Sequence, residues 1–475
     1  MKKIDHKGLL LTLPFLLFFT ALTIWVSGNG FFWDTILLAS KYAHWFIETN
    51  FSSFILPKEL DAIHPPAFGL YIAFFWKLFG KTLFVSHMAM LPFLLGIVWQ
   101  IYIIGKYFFQ KKHLFFAILL ILADTTFLGQ STLVSPDIAM LFFFLLAVSS
   151  VLYHKRIILI TSLICISFIS VRGMFAAVVI YSYDIWLNST SFTLKGILKT
   201  ALNRLADYIP VLLLVFLYLY FRYKSLGYLI PPVSDNWSGH YDTVGIRGIL
   251  YNTGILGWRL TDFGRIFVYL SLAAFAVNYV RKKSIADDKL KQLVGFFVLF
   301  LLINSPYLLF FKQPILHRYL MPANVFCSLI FLYIIFETGI NKYLARWIFA
   351  VALAGLISGN FWIYPDQIAK GWDSTLAHLP YYNIRSEMIE YIEKEKISFE
   401  QVGSEFPNTA TFENTDLNGS IISFPEKDLQ IQPYIFYSNI FNDFSDQELI
   451  DLKTNWIVVK EIKRGGVKGI LYKRK

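Results

Sequence analysis

From residue 8 to residue 363 the chain is a succession of apolar runs, most of them long enough to cross the ~30 Å hydrocarbon core of a bilayer, joined by short connections rich in Lys and Arg. A bilayer core has no water to satisfy a peptide group, so runs of this kind cross it as helices that close their own hydrogen bonds. Hydrophobic residues make up 56% of the 475 and charged residues only 16%, with 47 Phe. That balance excludes a soluble globular protein of this length. The net charge of +11 does not point to nucleic acid, because the cations sit mostly in the short connections, where they set topology. Cys165 and Cys327 both lie inside apolar runs, so no disulfide framework is implied.

Eleven spans are predicted, at residues 8–26, 83–105, 113–129, 137–153, 156–170, 172–187, 206–225, 263–280, 290–311, 317–336 and 344–363. Lys2, Lys3 and Lys7 precede the first, which lacks a small-x-small cleavage signal and reads as an uncleaved anchor. With the N-terminus inside, five basic groups all fall on the cytoplasmic side. They are Lys106, Lys111 and Lys112, then Lys155 and Arg156, then Lys195, Lys199 and Arg204, then Arg281 to Lys291, then Lys342 and Arg346. Residues 67–80 are apolar but short, bracketed by Pro65, Pro66 and Gly80, and read as an interfacial helix. The run 157–187 is too long for one crossing and carries Arg172 and Gly173 at its middle; it reads as a hairpin with its tip outward. After Tyr364 the composition turns polar, "NIRSEMIEYIEKEK" has an amphipathic period, and "TNWIVVKEIKRGGVKGILYKR" reads as a β-hairpin turning at Gly465 and Gly466. The chain is therefore expected to be an all-α polytopic membrane domain over 1–363, with a first outer loop at 27–82, followed by a small outward α/β domain over 364–475.

Ionisable groups are costly at membrane depth, about 2.5 to 3.5 kcal/mol each at a helix centre, so their placement is informative. On this topology Asp34, His64, Asp124, Asp137, Arg172, Lys312, His317 and Arg318 all gather at the outer face. Five of them have a structural rival. Asp34 and Asp137 suit helix N-caps, the Pro pair after His64 suits a first helical turn, Asp124 suits a closed intramembrane pair, and Arg318 suits a headgroup anchor. The "GNG" at Gly28–Gly30 is too short a signal for a phosphate loop.

A first outer loop opening with Asp34, then "HPPAFGLYIAFFWKLFG", "GKYFFQKK", "SPDIAMLFFFLLAV" and "HRYLMP", resembles the GT-C membrane glycosyltransferases, in particular the protein O-mannosyltransferase and aminoarabinose transferase group. Many of those proteins have Asp-Glu where this chain has Asp34-Thr35. The resemblance implies an integral membrane enzyme of the cell membrane that takes a sugar from a polyprenyl phosphate and passes it, with inversion, to a hydroxyl of a lipid, glycan or protein outside the cytoplasm. Such a displacement needs a carboxylate to accept the hydroxyl proton and cations to stabilise the departing phosphate. Asp34 is the candidate base, and Arg172, Arg318 and Lys312 are the candidate phosphate ligands, Arg being suited to bidentate contact. His64 is placed to bond the phosphate or orient Asp34, and Asp124, Asp137 and His317 complete the predicted substrate-binding set. No His, Cys or Asp spacing reaches a metal motif, and no cofactor is assigned. Two other readings stay open. One is a transporter or flippase of lipid-linked sugars, against which stands the absence of a two-fold repeat. The other is an oligosaccharide polymerase or ligase, for which Arg247 and Arg259 in the loop 226–262 are the right kind of residue.

Overall fold

The computed structural model describes residues 5–189, 191, 193–230, 242–281, 287–366, 368 and 371–475. Lys2, Lys3, Lys282 and Lys283, which entered the topology argument, lie outside the described residues.

Each of the eleven apolar runs is helical. Among the described residues six helices are long and apolar enough to cross a bilayer alone, and eight spans result if each of two bent pairs is counted as one. The helices Pro136–Leu152 and Arg156–Ile169 are shorter, at 17 and 14 residues. Fourteen residues rise only about 21 Å in an α-helix. An apolar run in sequence therefore fixes a helix more firmly than it fixes a full crossing.

The bundle has a centre and a rim. His317–Glu337 is 83% enclosed by protein, whereas Leu194–Leu226 is 17% enclosed and presents Leu212, Leu213 and Phe216 outward. Around the centre, Leu91–Phe108 packs on His6–Val26 and Pro136–Leu152, and Asp288–Leu309 packs between Val171–Asn188 and Met321–Glu337. Phe296 stacks on Phe326 at this junction, with centroids 3.8 Å apart.

Two helices are broken, and each break has a cause. Lys111–Leu122 turns by 68° into Thr125–Ser131 because Asp124 leaves the helix and caps the next one, accepting from the N–H groups of Thr126 and Phe127. Ile246–Thr261 turns by 101° into Ile266–Val277 through Phe263 and Gly264, both at positive φ. A Cβ on Gly264 would lie 1.9 Å from the Gly355 carbonyl, so glycine is required for the corner to sit against the helix Lys342–Gly359. The helix Ile246–Thr261 falls in a stretch expected to be a loop. It escaped notice because Arg247, Asn252, Gly254, Gly257 and Arg259 interrupt its apolar character.

Beyond the last membrane helix a four-stranded sheet forms from β1 (Val402–Gly403), β2 (Tyr434–Ser438), β3 (Trp456–Arg464) and β4 (Val467–Arg474), in the order β1-β2-β4-β3. β1 runs parallel to β2; the other pairs are antiparallel. The β3–β4 turn falls at Gly465–Gly466, with Gly465 at φ +56, as the hairpin pattern predicts. The amphipathic helix Pro380–Lys394 lays Ile384, Met388 and Ile392 on the sheet, all fully buried.

The first loop, residues 27–82, ties this domain to the bundle. Three consecutive aromatics beside an apolar run suit a membrane interface, but Phe31 and Phe32 are buried in protein. Phe31 meets Trp76 in the membrane domain, while Phe32 stacks on His378 and meets Tyr381, and Trp33 meets Phe406. The Phe31 N–H donates to the Thr415 carbonyl at 2.7 Å. The three aromatics thus fill a junction between domains, and they fix where the next residue, Asp34, emerges.

Candidate active site

Asp34 begins a helical turn that passes into a π-helical segment, Ile36–Lys41. A π-turn inside a helix is rare and frequent at functional sites. Asp34 is not the cap of this helix. Thr35 closes the turn, its hydroxyl donating to the Phe32 carbonyl and accepting from the Phe32 N–H, both at 2.8 Å. The Asp34 carboxylate instead accepts from Arg318, and 40% of the side chain stays exposed.

Arg318 is the hub. Its Nη2 meets Asp34, its Nη1 meets Asp373, and its Nε lies 3.2 Å from Asp137 Oδ2. The side chain is 6% exposed. Three carboxylates at once leave this guanidinium little donor capacity. Arg172, at the tip of the predicted hairpin, lies 2.7 Å from Asp137 Oδ1 through Nη1 and 3.9 Å above the Tyr319 ring. That approach lacks hydrogen-bond geometry: Arg172 Nε and Nη1 and Asp137 Oδ1 are all buried without a hydrogen-bond partner. Ser135, not Asp137, caps the helix Pro136–Leu152, and Ser170 caps Val171–Asn188. Capping by serine frees Asp137 in one first turn to face Arg172 in the other.

His64 stands beside the hub. Its Nδ1 is 3.4 Å from the Ser170 hydroxyl. Burial first, then the guanidiniums of Arg172, Arg318 and Arg222, hold the imidazole neutral, its pKa pushed down to about 3. At neutral pH it can donate or accept one hydrogen bond but carries no charge.

Three of the predicted residues are placed apart from this hub. Asp124 is closed by a bidentate pair with Arg265, at 2.6 and 2.8 Å, besides its two backbone donors. His317 turns away from its neighbour Arg318 and meets Asp262 at 2.8 Å; Asp262 also accepts from Tyr364 and lies 3.7 Å from Arg259. Lys312 pairs with Asp242 at 3.0 Å, both more than half exposed.

Asp373 and Tyr319 at the hub, and Asp262 and Arg265, the partners of His317 and Asp124, were not singled out in the sequence. Tyr319 was visible inside "HRYLMP". Asp373 lies in "GWDSTLAH", in the polar stretch assigned to the outer domain, and nothing in its spacing announces a return to the membrane domain. Gln130 holds it there, donating to its carbonyl at 2.8 Å. Among the described residues no three His, Cys, Asp or Glu side chains are spaced for a metal ion.

No protein-family model and no curated protein matches the sequence. In structure the chain is similar to ArnT from Cupriavidus metallidurans, solved bound to undecaprenyl phosphate, with a TM-score of 0.53 over 97% of both chains at 11% identity. The likeness shows the fold alone: a mostly helical chain with six to eight apolar spans among the described residues and a small C-terminal sheet. The fold expected from the resemblance is therefore the fold observed.

Proposed function

We propose that the protein is a membrane glycosyltransferase of the cell membrane that moves a sugar from a polyprenyl phosphate to a hydroxyl on the extracytoplasmic side. The ArnT structure in which this fold is seen carries undecaprenyl phosphate, and the arrangement at the hub suits the chemistry. The acceptor oxygen attacks the anomeric carbon, the bond from that carbon to the phosphate oxygen breaks, the hydroxyl proton passes to Asp34, and the polyprenyl phosphate leaves. One displacement inverts the anomeric centre.

The observation that carries this reading is the contrast between the two arginines. Arg318 is saturated by carboxylates and serves to hold Asp34 in place. Arg172 is buried and ion-paired to Asp137 through Nη1 without hydrogen-bond geometry, and its Nε has no hydrogen-bond partner, which leaves it donor capacity for an anionic ligand. We therefore assign the phosphate to Arg172, with neutral His64 as a further hydrogen-bond group, and take Arg318 as the positioning residue. Asp34 is the base because it is the most exposed of the three carboxylates at the hub, 40% against 5% and 10%. The three carboxylates face only two guanidiniums, so one negative charge is left free to take a proton.

The purified enzyme is expected to consume a polyprenyl-phosphate sugar and to ignore nucleotide sugars; turnover of a nucleotide sugar without added lipid would refute the reading. The eleven-span, N-in and C-out topology is proposed with it. A cysteine placed at Asn418 should react with an impermeant reagent in intact cells and one at Lys112 should not, and the reverse pattern would overturn the orientation.

A further inference from the structure

The first loop frames a second, open site. Between the helices Tyr42–Glu48 and Ala67–Phe79 is a cavity of about 280 Å³, lined among others by His44, Glu48, Phe51, Trp76, Lys77 and Lys81. It is separate from the hub, none of whose residues line it.

Its charges fall into two kinds. His44 and Lys81 are engaged, both bonded to Glu413 of the C-terminal domain. Lys77 and Glu48 are not. Neither has an ion-pair partner among the described residues, and the Lys77 ammonium lies over the Phe51 ring, 4.8 Å from its centroid. A free cation and a free anion thus line one cavity without pairing with each other. Two opposite charges held apart are complementary to a ligand that carries both.

The setting says what kind of ligand. Lys77 shares its helix face with Phe74 and Leu78, and Phe79 follows; the three apolar side chains are 53 to 66% exposed. An exposed apolar stripe interrupted by one lysine is the pattern of a helix lying in the membrane interface. A headgroup entering this cavity would leave its acyl chains along that stripe.

We propose that this cavity binds a zwitterionic aminoethyl-phosphate headgroup, as in phosphatidylethanolamine, with its phosphate on Lys77 and its ammonium on Glu48. A primary ammonium donates hydrogen bonds that a carboxylate accepts. A quaternary amine has none to give, so Glu48 would hold it by charge alone. A glycerol headgroup leaves Glu48 unmatched. A volume near 280 Å³, just below the usual 300 to 1,000 Å³ of small-molecule pockets, suits a headgroup rather than a glycan chain.

The test is lipid retention by the full-length protein, purified in detergent and exchanged against phosphatidylethanolamine, phosphatidylcholine or phosphatidylglycerol, read by native mass spectrometry. Phosphatidylethanolamine should be retained preferentially. Lys77→Gln and Glu48→Gln should each lower that retention by about tenfold, the scale of one charge-assisted contact, and Lys77→Arg should keep it. Both positions are exposed, so thermal stability of the variants serves as the control for folding. Equal retention of the three lipids, or retention unchanged in both Gln variants, would overturn the assignment. Protection by free phosphoethanolamine equal to that by the lipid would overturn the membrane source and leave a soluble ligand of the same headgroup chemistry.

Discussion

Two buried arginine–carboxylate assemblies stand near each other in this molecule and are built to opposite ends. Asp124 and Arg265 close on each other in a bidentate pair, with the carboxylate also taking two backbone N–H groups and Thr126 taking a further bond from the guanidinium. The pair joins the two broken helices at their breaks. Asp34, Asp137, Asp373, Arg172 and Arg318 form the other assembly, which is left open: one carboxylate is 40% exposed, and one guanidinium has two nitrogens without a hydrogen-bond partner, although Nη1 is ion-paired to Asp137. A third pair, Arg222 with Asp61 at 2.7 and 2.6 Å, follows the closed pattern. Satisfied charge in a low-dielectric setting holds structure; unsatisfied charge marks where a ligand belongs.

The comparison breaks most visibly at the closed pair. Asp124→Asn or Arg265→Gln leaves an uncompensated buried charge, which costs about 3 to 5 kcal/mol. Either variant should accumulate poorly in the membrane and lose thermal stability. A variant of Asp124 with normal melting and impaired transfer would instead place it in the site.

At the open assembly the effects should reverse. Asp34→Asn keeps the shape and a hydrogen-bond acceptor for Arg318, but a neutral amide cannot take the acceptor proton. Melting should stay near wild type while kcat falls by roughly 10²-fold or more. Retention of over a third of wild-type kcat would move the base to Asp137 or Asp373. Arg172→Gln should raise the donor KM by roughly ten- to a hundredfold, the range of hydrogen bonds to a charged group, with a smaller effect on folding than Arg265→Gln. Equal destabilisation by the two substitutions would erase the distinction between open and closed.

This distinction was not legible in the sequence. The apolar runs announced the helices, the basic connections suggested an orientation, and the change of composition after Tyr364 announced the C-terminal sheet. Asp34, His64, Asp137, Arg172 and Arg318 were picked out because charge is scarce in such a chain, and the fold brings them together. Which carboxylate belongs to which arginine is another matter. Arg265 lies 141 residues from Asp124 and Arg222 lies 161 from Asp61, and no local periodicity encodes pairings of that kind. Asp373 was hidden for a related reason, since a polar segment looks the same whether it stays in solvent or folds back onto a membrane domain. The aromatic trio before Asp34 misled in the same way, because an interface belt and an interdomain junction both want large apolar side chains.

The smallest effect is expected where the C-terminal domain grips the first loop, and it has a definite sign in pH. Glu413 accepts from Lys81 and from His44 at 2.9 Å, with a further bond from the Gly419 N–H at 2.5 Å. Burial alone would raise its pKa, but the donors outweigh it and hold the carboxyl at about 2, below the ordinary 4.5. A carboxyl whose pKa is lower folded than unfolded favours the folded state above its unfolded value, and that contribution is lost as pH falls from about 4.5 toward 2. The site is near the surface, with Lys81 41% exposed, so the interaction is screened and its worth is modest. Glu413→Gln should therefore lower the melting temperature slightly at pH 7, and the gap from wild type should close as pH drops through that window. Salt should narrow the gap too. A gap that is constant from pH 7 to pH 3 would mean that Glu413 contributes through packing alone, and that its ion pairs with Lys81 and His44 add nothing to the hold of the C-terminal domain on the first loop.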